Sequence, residues 1–433
     1  MLNETHDPLL RSWVESANAP DGDFPIQNLP HGIFRRRGSR EAYRGGIAIG
    51  DHILDMAAAS TTGLFAGAAQ HAAELAGAQK LNELMAAGPG AWSALRLALS
   101  RMLRRGSPQA DKMRRFLVPQ ADAEHAVPAE IGDFTDFFTS WDHMINGGKV
   151  FAPGNPPLPN FKSLPLGYHS RSSSVVISGT PLRRPSGQTR IPGQNEIVFG
   201  PSRWLDHELE LGIFVGPGND LGQPIPIDEA EDHLFGLCLL NDWSARDIQA
   251  WESMPLGPFL AKSFLTTLSP WIVTMEALAP FRAPLSRLPD DPEPFSYLRG
   301  IRFPVSGLDI ALEAMIETKK SVGRPVRISH CNYGTAYWAP AHLVTHHTSN
   351  GCNLRPGDLL GTGTQSGEGS DEWGSMLEIS QGAKRPLMLA DGETRTFLED
   401  GDTIIFKGRC IREGFVGIGF GECSGTILPA AGA

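Results

Sequence analysis

Residues 234 to 264 read LFGLCLLNDWSARDIQAWESMPLGPFLAKSF. The first seven, Leu234 to Leu240, form an apolar run of strand length, as expected of a buried strand. Asn241 and Asp242 suit the turn into a short helix, because their side chains can accept the unpaired N–H groups of a first helical turn. With Trp243 to Trp251 helical, Asp242, Arg246 and Gln249 stand one above another at i, i+4 and i+7. Lys262 follows beyond a Pro- and Gly-rich bend. Two readings stay open from this stretch alone. One is an Asp–Arg pair with a solvated Gln on a surface helix, worth little energetically. The other is a site on which a carboxylate, a guanidinium, a carboxamide and an ammonium converge.

Around this stretch the chain is 433 residues long, enough for two domains with well-buried cores. Its 48 glycines and 34 prolines demand many turns, and with few helix-like stretches they predict a mainly β chain with some α. The pieces FPIQNLPHGIF (24–34) and YRGGIAIGDHILDM (43–56) predict a small, compact barrel. Residues 66 to 105 change to Ala, Leu, Glu and Gln, predicting two helices broken at Gly88-Pro89-Gly90. Leu95, Leu99, Met102 and Leu103 make the apolar stripe of the second. The basic cluster Arg96, Arg101, Arg104, Arg105, Lys112, Arg114 and Arg115 reads as a solvated helix face, since no aromatic residues interleave for base stacking. Val118 to Ile131 reads as the join between an N-terminal domain (1–125) and a larger domain (126–433). Beyond it, strands are expected at Ser173–Ser178, Ile213–Val215, Thr403–Phe406 and Phe415–Phe420, with a surface loop from Ala279 to Pro294. GTGTQSGEG, Gly361 to Gly369, lacks the Lys-Ser/Thr ending of a phosphate loop and reads as a flexible loop near a site.

The formal charge of −10 argues against a nucleic-acid binder. Five cysteines, an odd number without a CxxC pair, suit a reduced cytoplasmic protein. The first residues carry neither a basic nor an apolar leader segment. No apolar run approaches the roughly 20 residues that span a bilayer, so no membrane partner is expected.

Two further stretches bear on chemistry. In LDHELEL, Leu205 to Leu211, a strand would point Glu208 and Glu210 to one face. Two adjacent carboxylates repel unless a cation joins them; on an exposed strand that cost is small and needs no cation, whereas the apolar Gly212 to Val215 that follows favours burial and with it a metal. In IGDFTDFFTSWDHMIN, Ile131 to Asn146, Asp133, Asp136, Asp142 and His143 crowd into an aromatic segment. One of these aspartates, with Glu208, Glu210 and Asp242, would complete an all-oxygen site suited to Mg²⁺ or Ca²⁺ rather than zinc.

Together the motifs GDFTDF, PLGYHSR, SGTPLRRPSGQ, ELE, NDWSARDIQ and PLGPFLAKSF, with THHTSNGCNLRPGDLL at 345–360 and GFGECSGTILP near the C-terminus, resemble the fumarylacetoacetase family. The resemblance implies a small SH3-like N-terminal barrel, a large β-sandwich roll, usually a homodimer, and hydrolysis of a β-diketone C–C bond in tyrosine and phenylalanine catabolism. It implies Asp136, Glu208, Glu210 and Asp242 as divalent-metal ligands, with Lys262 and Thr266 helping to hold a second cation near Asp242. His143 matches the general base and Glu378 the acid that orients it. Arg246, Gln249 and Lys262 match the oxyanion donors, and Tyr168 and Thr364 match substrate contacts. Three substrate-contact positions depart from the family: Phe138 and Ser253 stand where it has tyrosines, and Ala152 where it has an arginine. Lys149, just before Ala152, is a possible replacement cation or a solvated lysine. The altered contacts keep open a relative acting on another 1,3-dicarbonyl or acylpyruvate, by hydrolysis or decarboxylation. A structural metal protein is the remaining alternative, against which His143, Glu378 and Lys262 all argue.

Overall fold

The computed structural model of the protein describes residues 2–190, 196–301, 305–390 and 392–432. Leu234–Asp242 is a strand, buried at every residue. It lies inside an eight-stranded sheet ordered Leu166–His169, Phe134–Phe138, Leu359–Gly361, Leu209–Val215, Leu234–Asp242, Thr266–Leu268, Val175–Ile177, with Val273–Thr274 also pairing with the central strand. A five-stranded sheet, Val326–Asn332, Ala311–Glu317, Thr403–Cys410, Ile418–Leu428 and Leu182–Arg183, packs against it. The sandwich follows from period-two alternation. Leu209, Leu211, Ile213, Leu237 and Leu239 meet Leu312, Ala314, Ile316, Ile404 and Phe406 in one core. Each of the leucine, isoleucine and phenylalanine side chains contributes roughly 1.5–3 kcal/mol on burial.

Residues of opposite parity face the other way. Phe134, Phe214, Cys238, Leu240, Leu268 and Leu359 join a second core with Ile33, Ile47, Leu54 and the helix residues Leu95, Leu99, Met102 and Leu103. The N-terminal strands form an antiparallel sheet ordered Leu117–Pro119, His52–Asp55, Arg44–Ile49, His31–Arg36, Ala123–Ala126. The expected mainly β architecture, with a small N-terminal sheet beside a sandwich, is present.

Several local expectations differ. Asn241 and Asp242 end the strand instead of turning into a helix, and Ser244–Ala245 pairs with Leu205–Asp206 before the helix Arg246–Glu252 begins. Strand pairing to Thr266 and Thr267 satisfies the backbone that a helix cap would otherwise serve. Asp242 is therefore off the helix, and only Arg246 and Gln249 share it. Gly88-Pro89-Gly90 opens the helix Gly88–Leu103, proline suiting a first turn, and Ala68–Ala76 and Asn82–Ala86 precede it. Arg96 is no solvated side chain: it is buried and donates to Thr5 Oγ1 and the carbonyls of Gln27 and Asn28. Arg101 and Arg104 pair with Glu4, and Arg105 with Glu15, at the surface. The expected join at 118–131 contains two strands of the N-terminal sheet. The expected loop at 279–294 begins with the buried Pro280 and Phe281, and the last strand starts at Ile418, not Phe415. Among the described residues no helix is long and apolar enough to cross a membrane.

Candidate active site

The Leu205–Leu211 stretch is not one strand. Pairing breaks at His207 and Glu208 between Leu205–Asp206 and Leu209–Val215. The two carboxylates converge all the same, with Asp136 from the middle of Phe134–Phe138 and Asp242 from the end of the central strand. Oxygens of Asp136, Glu208, Glu210 and Asp242 lie within 4.8 Å of one another, and all four residues are buried. Gly361 stands next to them, on the strand between the one bearing Asp136 and the one bearing Glu210. A Cβ there would stand 2.3 Å from Asp136 Oδ1 and 3.2 Å from Glu210 Oε2, so only glycine lets the carboxylates close up.

Four buried carboxylates need positive charge, and the described residues supply less than enough. Lys262 reaches Glu208 Oε2 and, at 3.0 Å, Asp242 Oδ2. Arg246 Nη1 lies 2.7 Å from Glu208 Oε1. Burial works against an ionised Glu208, but Lys262 and then Arg246 outweigh it and hold its carboxyl below the usual range. Burial likewise opposes the Lys262 ammonium, and Asp242 and Glu208 more than compensate, raising it. For Asp136 and Glu210 the pull of Lys262 is too weak to compensate. Burial first, and then their acidic neighbours, push both well above the ordinary carboxylate range. Asp136 Oδ1 and both Glu210 oxygens have no hydrogen-bond partner. Unpartnered buried carboxylate oxygens cost several kcal/mol unless a cation takes them up, so this donor set fits a divalent ion. Thr266 Oγ1 donates to Asp242 Oδ1 at 2.8 Å. Tyr168, expected as a substrate contact, donates to Asp242 and Asp136 at 2.8 and 3.0 Å.

Beside the cluster opens a cavity of about 640 Å³, lined by Asp136, Glu208, His143, Arg246, Gln249, Lys262, Tyr168 and Thr364 among others. His143 lies in the first turn of Trp141–Phe151, where Ser140 caps its N–H. Its Nδ1 sits 2.7 Å from Glu378 Oε2, which also accepts from Ser375 and Ser366 at 2.8 and 3.0 Å, while Asn146 donates to Oε1 at 3.2 Å. Burial alone would raise Glu378, but His143 and these donors outweigh it and hold the carboxyl below its ordinary range. With Nδ1–H committed to Glu378, Nε2 is the nitrogen left with a lone pair. Arg246 Nη1 donates to Gln249 Oε1 at 3.1 Å, whereas its Nη2 is buried without a partner. Thr364 Oγ1 is likewise buried and unpartnered.

Of the three departures, Phe138 and Ala152 line the cavity and Ser253 does not; its hydroxyl turns back to the carbonyl of Gln249 at 2.6 Å. Phe138 packs edge-on against His143, and Met144, Phe151, Leu158 and Leu166 continue an apolar wall. Lys149 lines the rim and reaches Asn146 Oδ1 at 3.2 Å. The expected flexible loop at Gly361–Gly369 is buried from Gly361 to Gly367. Gln365 donates to Thr139 and Gly363. Gly363 holds φ +72 with a would-be Cβ 2.2 Å from the Phe137 carbonyl. Asp133 pairs with Arg355 at the surface, away from the site. Sequence reasoning missed Asn146, Ser366 and Ser375. It also missed Asp206, although its position two before Glu208 in the same alternating run was a usable signal.

Two family models match the chain: "Fumarylacetoacetase N-terminal" over residues 27–128 and "Fumarylacetoacetate (FAA) hydrolase C-terminal" over 135–428. Among curated relatives, the fumarylacetoacetase of Oryza sativa is 47% identical, with 97% of this chain and 98% of the relative covered. Those of Rattus norvegicus and Homo sapiens are 46% and 45% identical, each match covering 95% of this chain and 98% of the relative. A solved fumarylacetoacetate hydrolase from Exiguobacterium antarcticum shares the fold at a TM-score of 0.50 and 16% identity, with 93% of this chain and 99% of that one covered.

Proposed function

This chain belongs to the fumarylacetoacetate hydrolase family, and from that premise we propose that it hydrolyses fumarylacetoacetate to fumarate and acetoacetate. It is a hydrolase of carbon–carbon bonds in ketonic substrates. The observation that carries the mechanism is that His143, backed by Glu378, and the Asp136 and Glu208 side of the four-carboxylate cluster open onto one cavity. His143 Nε2 takes a proton from water as that water attacks a substrate carbonyl carbon, and Glu378 stabilises the imidazolium that results. Arg246 Nη2, with Gln249 and Lys262, supplies donors for the oxyanion, already in place before reaction. The C–C bond then breaks, and the imidazolium returns its proton to the departing carbon. A divalent cation held by Asp136, Glu208, Glu210 and Asp242 would stabilise the enolate charge of the leaving group as a Lewis acid. No covalent nucleophile is needed.

The all-oxygen donor set favours Mg²⁺ or Ca²⁺. Lys262 and Thr266, both on Asp242, are the groups on which a second cation would draw. A homodimer and a cytoplasmic location complete the reading, the latter supported by five free cysteines; light scattering of the purified protein tests the former. Loss of the diketone absorbance on adding fumarylacetoacetate with Mg²⁺ tests the activity, and His143→Ala should abolish it. Turnover by His143→Ala near the wild-type rate would overturn the mechanism. The apolar wall of Phe138, Ala152, Phe151 and Leu158 favours a second reading, a 1,3-dicarbonyl or acylpyruvate with a less polar acyl arm. Activity on such a compound, with none on fumarylacetoacetate, would select it.

A further inference from the structure

Asp206 has no part in the chemistry described so far, yet it is fully buried and its two oxygens receive four donors. Oδ2 accepts from Arg246 Nε at 2.8 Å and from the backbone N–H of Leu377 at 3.0 Å. Oδ1 accepts from the N–H of Met376 at 2.6 Å and of His207 at 2.8 Å. Met376 and Leu377 open the short helix Met376–Ile379, whose next residue is Glu378. One carboxylate thus ties the guanidinium of the oxyanion cradle to the backbone that presents the partner of His143. Arg246 is also held through Nη1 by Glu208 and Gln249. With Nε and Nη1 taken, Nη2 is the donor that remains, buried and unpartnered in a residue that lines the cavity.

We propose that Asp206 is a positioning residue that fixes Arg246 so that Nη2 alone faces the substrate oxygen, and that holds the Glu378 helix in register with it. The inference rests on the proposed hydrolysis for its kinetic consequence, though not for its geometry. Asparagine at 206 keeps the shape but has one acceptor oxygen. Whichever way its amide turns, an N–H₂ group meets either Arg246 Nε–H and Leu377 N–H or the other pair of donors. Either orientation loosens Arg246: the first sets N–H₂ against its Nε–H, and the second leaves it a neutral oxygen in place of a charged one while letting go of the Met376 N–H.

The test is a cycle of wild type, Asp206→Asn, Arg246→Met and the double variant, assayed with fumarylacetoacetate at saturating Mg²⁺. Asp206→Asn should lower kcat about 10²–10³-fold, the loss seen when one oxyanion donor is removed, with KM changed less than about threefold. In the Arg246→Met background the same substitution should cost no more than about threefold further, since residues acting through one another are not additive. A merely structural cap would lower thermal stability and cost the same factor in both backgrounds. That outcome, or an Asp206→Asn kcat within about fivefold of wild type, overturns the proposal.

A readout without turnover accompanies it: the Nε–H resonance of Arg246 in protein carrying ¹⁵N-arginine, identified by its absence from Arg246→Met. It should move upfield or vanish in Asp206→Asn, and an unchanged resonance overturns the proposal. If Asp206→Asn does not fold, Asp206→Glu, which keeps the charge but displaces it by one methylene, is read in the same cycle by the same criteria. If wild type fails to consume fumarylacetoacetate, the substrate reading falls and the resonance alone decides Asp206.

Discussion

Glu378→Gln replaces a carboxylate by an amide of the same shape at a site buried to 1% exposure. The carboxylate accepts from His143, Ser366 and Ser375 through Oε2 and from Asn146 through Oε1. If the glutamine oxygen takes the Oε2 place, His143 keeps its tautomer but loses the negative charge that stabilises its protonated form. A hydrogen bond to a charged group contributes about 1.5–3 kcal/mol, so this orientation costs up to about a hundredfold in rate. If the amide nitrogen takes that place, it presents N–H to His143 Nδ1, turning the ring to the tautomer whose Nε2 already carries a proton. An imidazole base in the wrong tautomer loses about 10⁴-fold in the serine-protease case. The expected fall in kcat is therefore between about 10 and about 10⁴. KM should change less than about threefold, because Glu378 stands behind His143 and does not line the cavity. Stopped-flow loss of diketone absorbance at pH 7 measures both. A folded Glu378→Gln with kcat within about fivefold of wild type would refute the reasoning. So would a loss that multiplies in full with that of His143→Ala.

The same residue sets a pH signature: its folded-state carboxyl lies below the ordinary range, so its stabilising contribution is complete above the unfolded value of about 4.3 and is lost as pH falls through the lower folded value. The urea midpoint of wild type should exceed that of Glu378→Gln at pH 7 and approach it below about pH 4; a gap that stays constant contradicts the assignment. Titration with Mg²⁺ or Ca²⁺ should raise the melting temperature, by about 4 kcal/mol of added stability at a thousand times Kd, and EDTA should reverse it. Glu210→Gln should remove most of that shift, and a melting curve indifferent to both ions would count against the site. Gly361→Ala places a methyl 2.3 Å from Asp136 Oδ1 and should weaken cation binding at least tenfold by calorimetry; affinity within twofold of wild type would show that the carboxylates can rearrange around it.

How far the sequence disclosed the site depended on the range of the interaction. Glu208 and Glu210 were legible because two acids at alternate positions ahead of an apolar run are costly without a cation. That inference survived even though the strand breaks at His207. The buried strand at Leu234–Leu240 was legible from its apolar run, but its end was not. Asp242 joined the strand because Thr266, 24 residues on, offered a partner that local capping rules do not register. Arg96 looked like one more surface cation among seven, and only the folded chain brings the carbonyls of Gln27 and Asn28 to it. The loop at Gly361–Gly367 has the composition of a mobile segment and the hydrogen bonding of a core. The pairing of His143 with Glu378 spans 235 residues and entered through resemblance alone, as did the oxyanion role of Arg246, Gln249 and Lys262, whose convergence the sequence offered only as one of two readings.

The sheet face that carries Asp136, Glu210, Asp242 and Thr266 at one end carries Phe134, Phe214, Cys238, Leu240 and Leu268 at the other, beneath the N-terminal strands and helices. Inherited lesions in such a protein need not touch a reacting group to abolish its output. A substitution at Ile47 or Leu99 would loosen the cover over the same pleated surface that aligns the carboxylates. The resulting loss would present in an extract as missing activity, recoverable by any ligand that binds the folded state alone, the cation of the carboxylate cluster included.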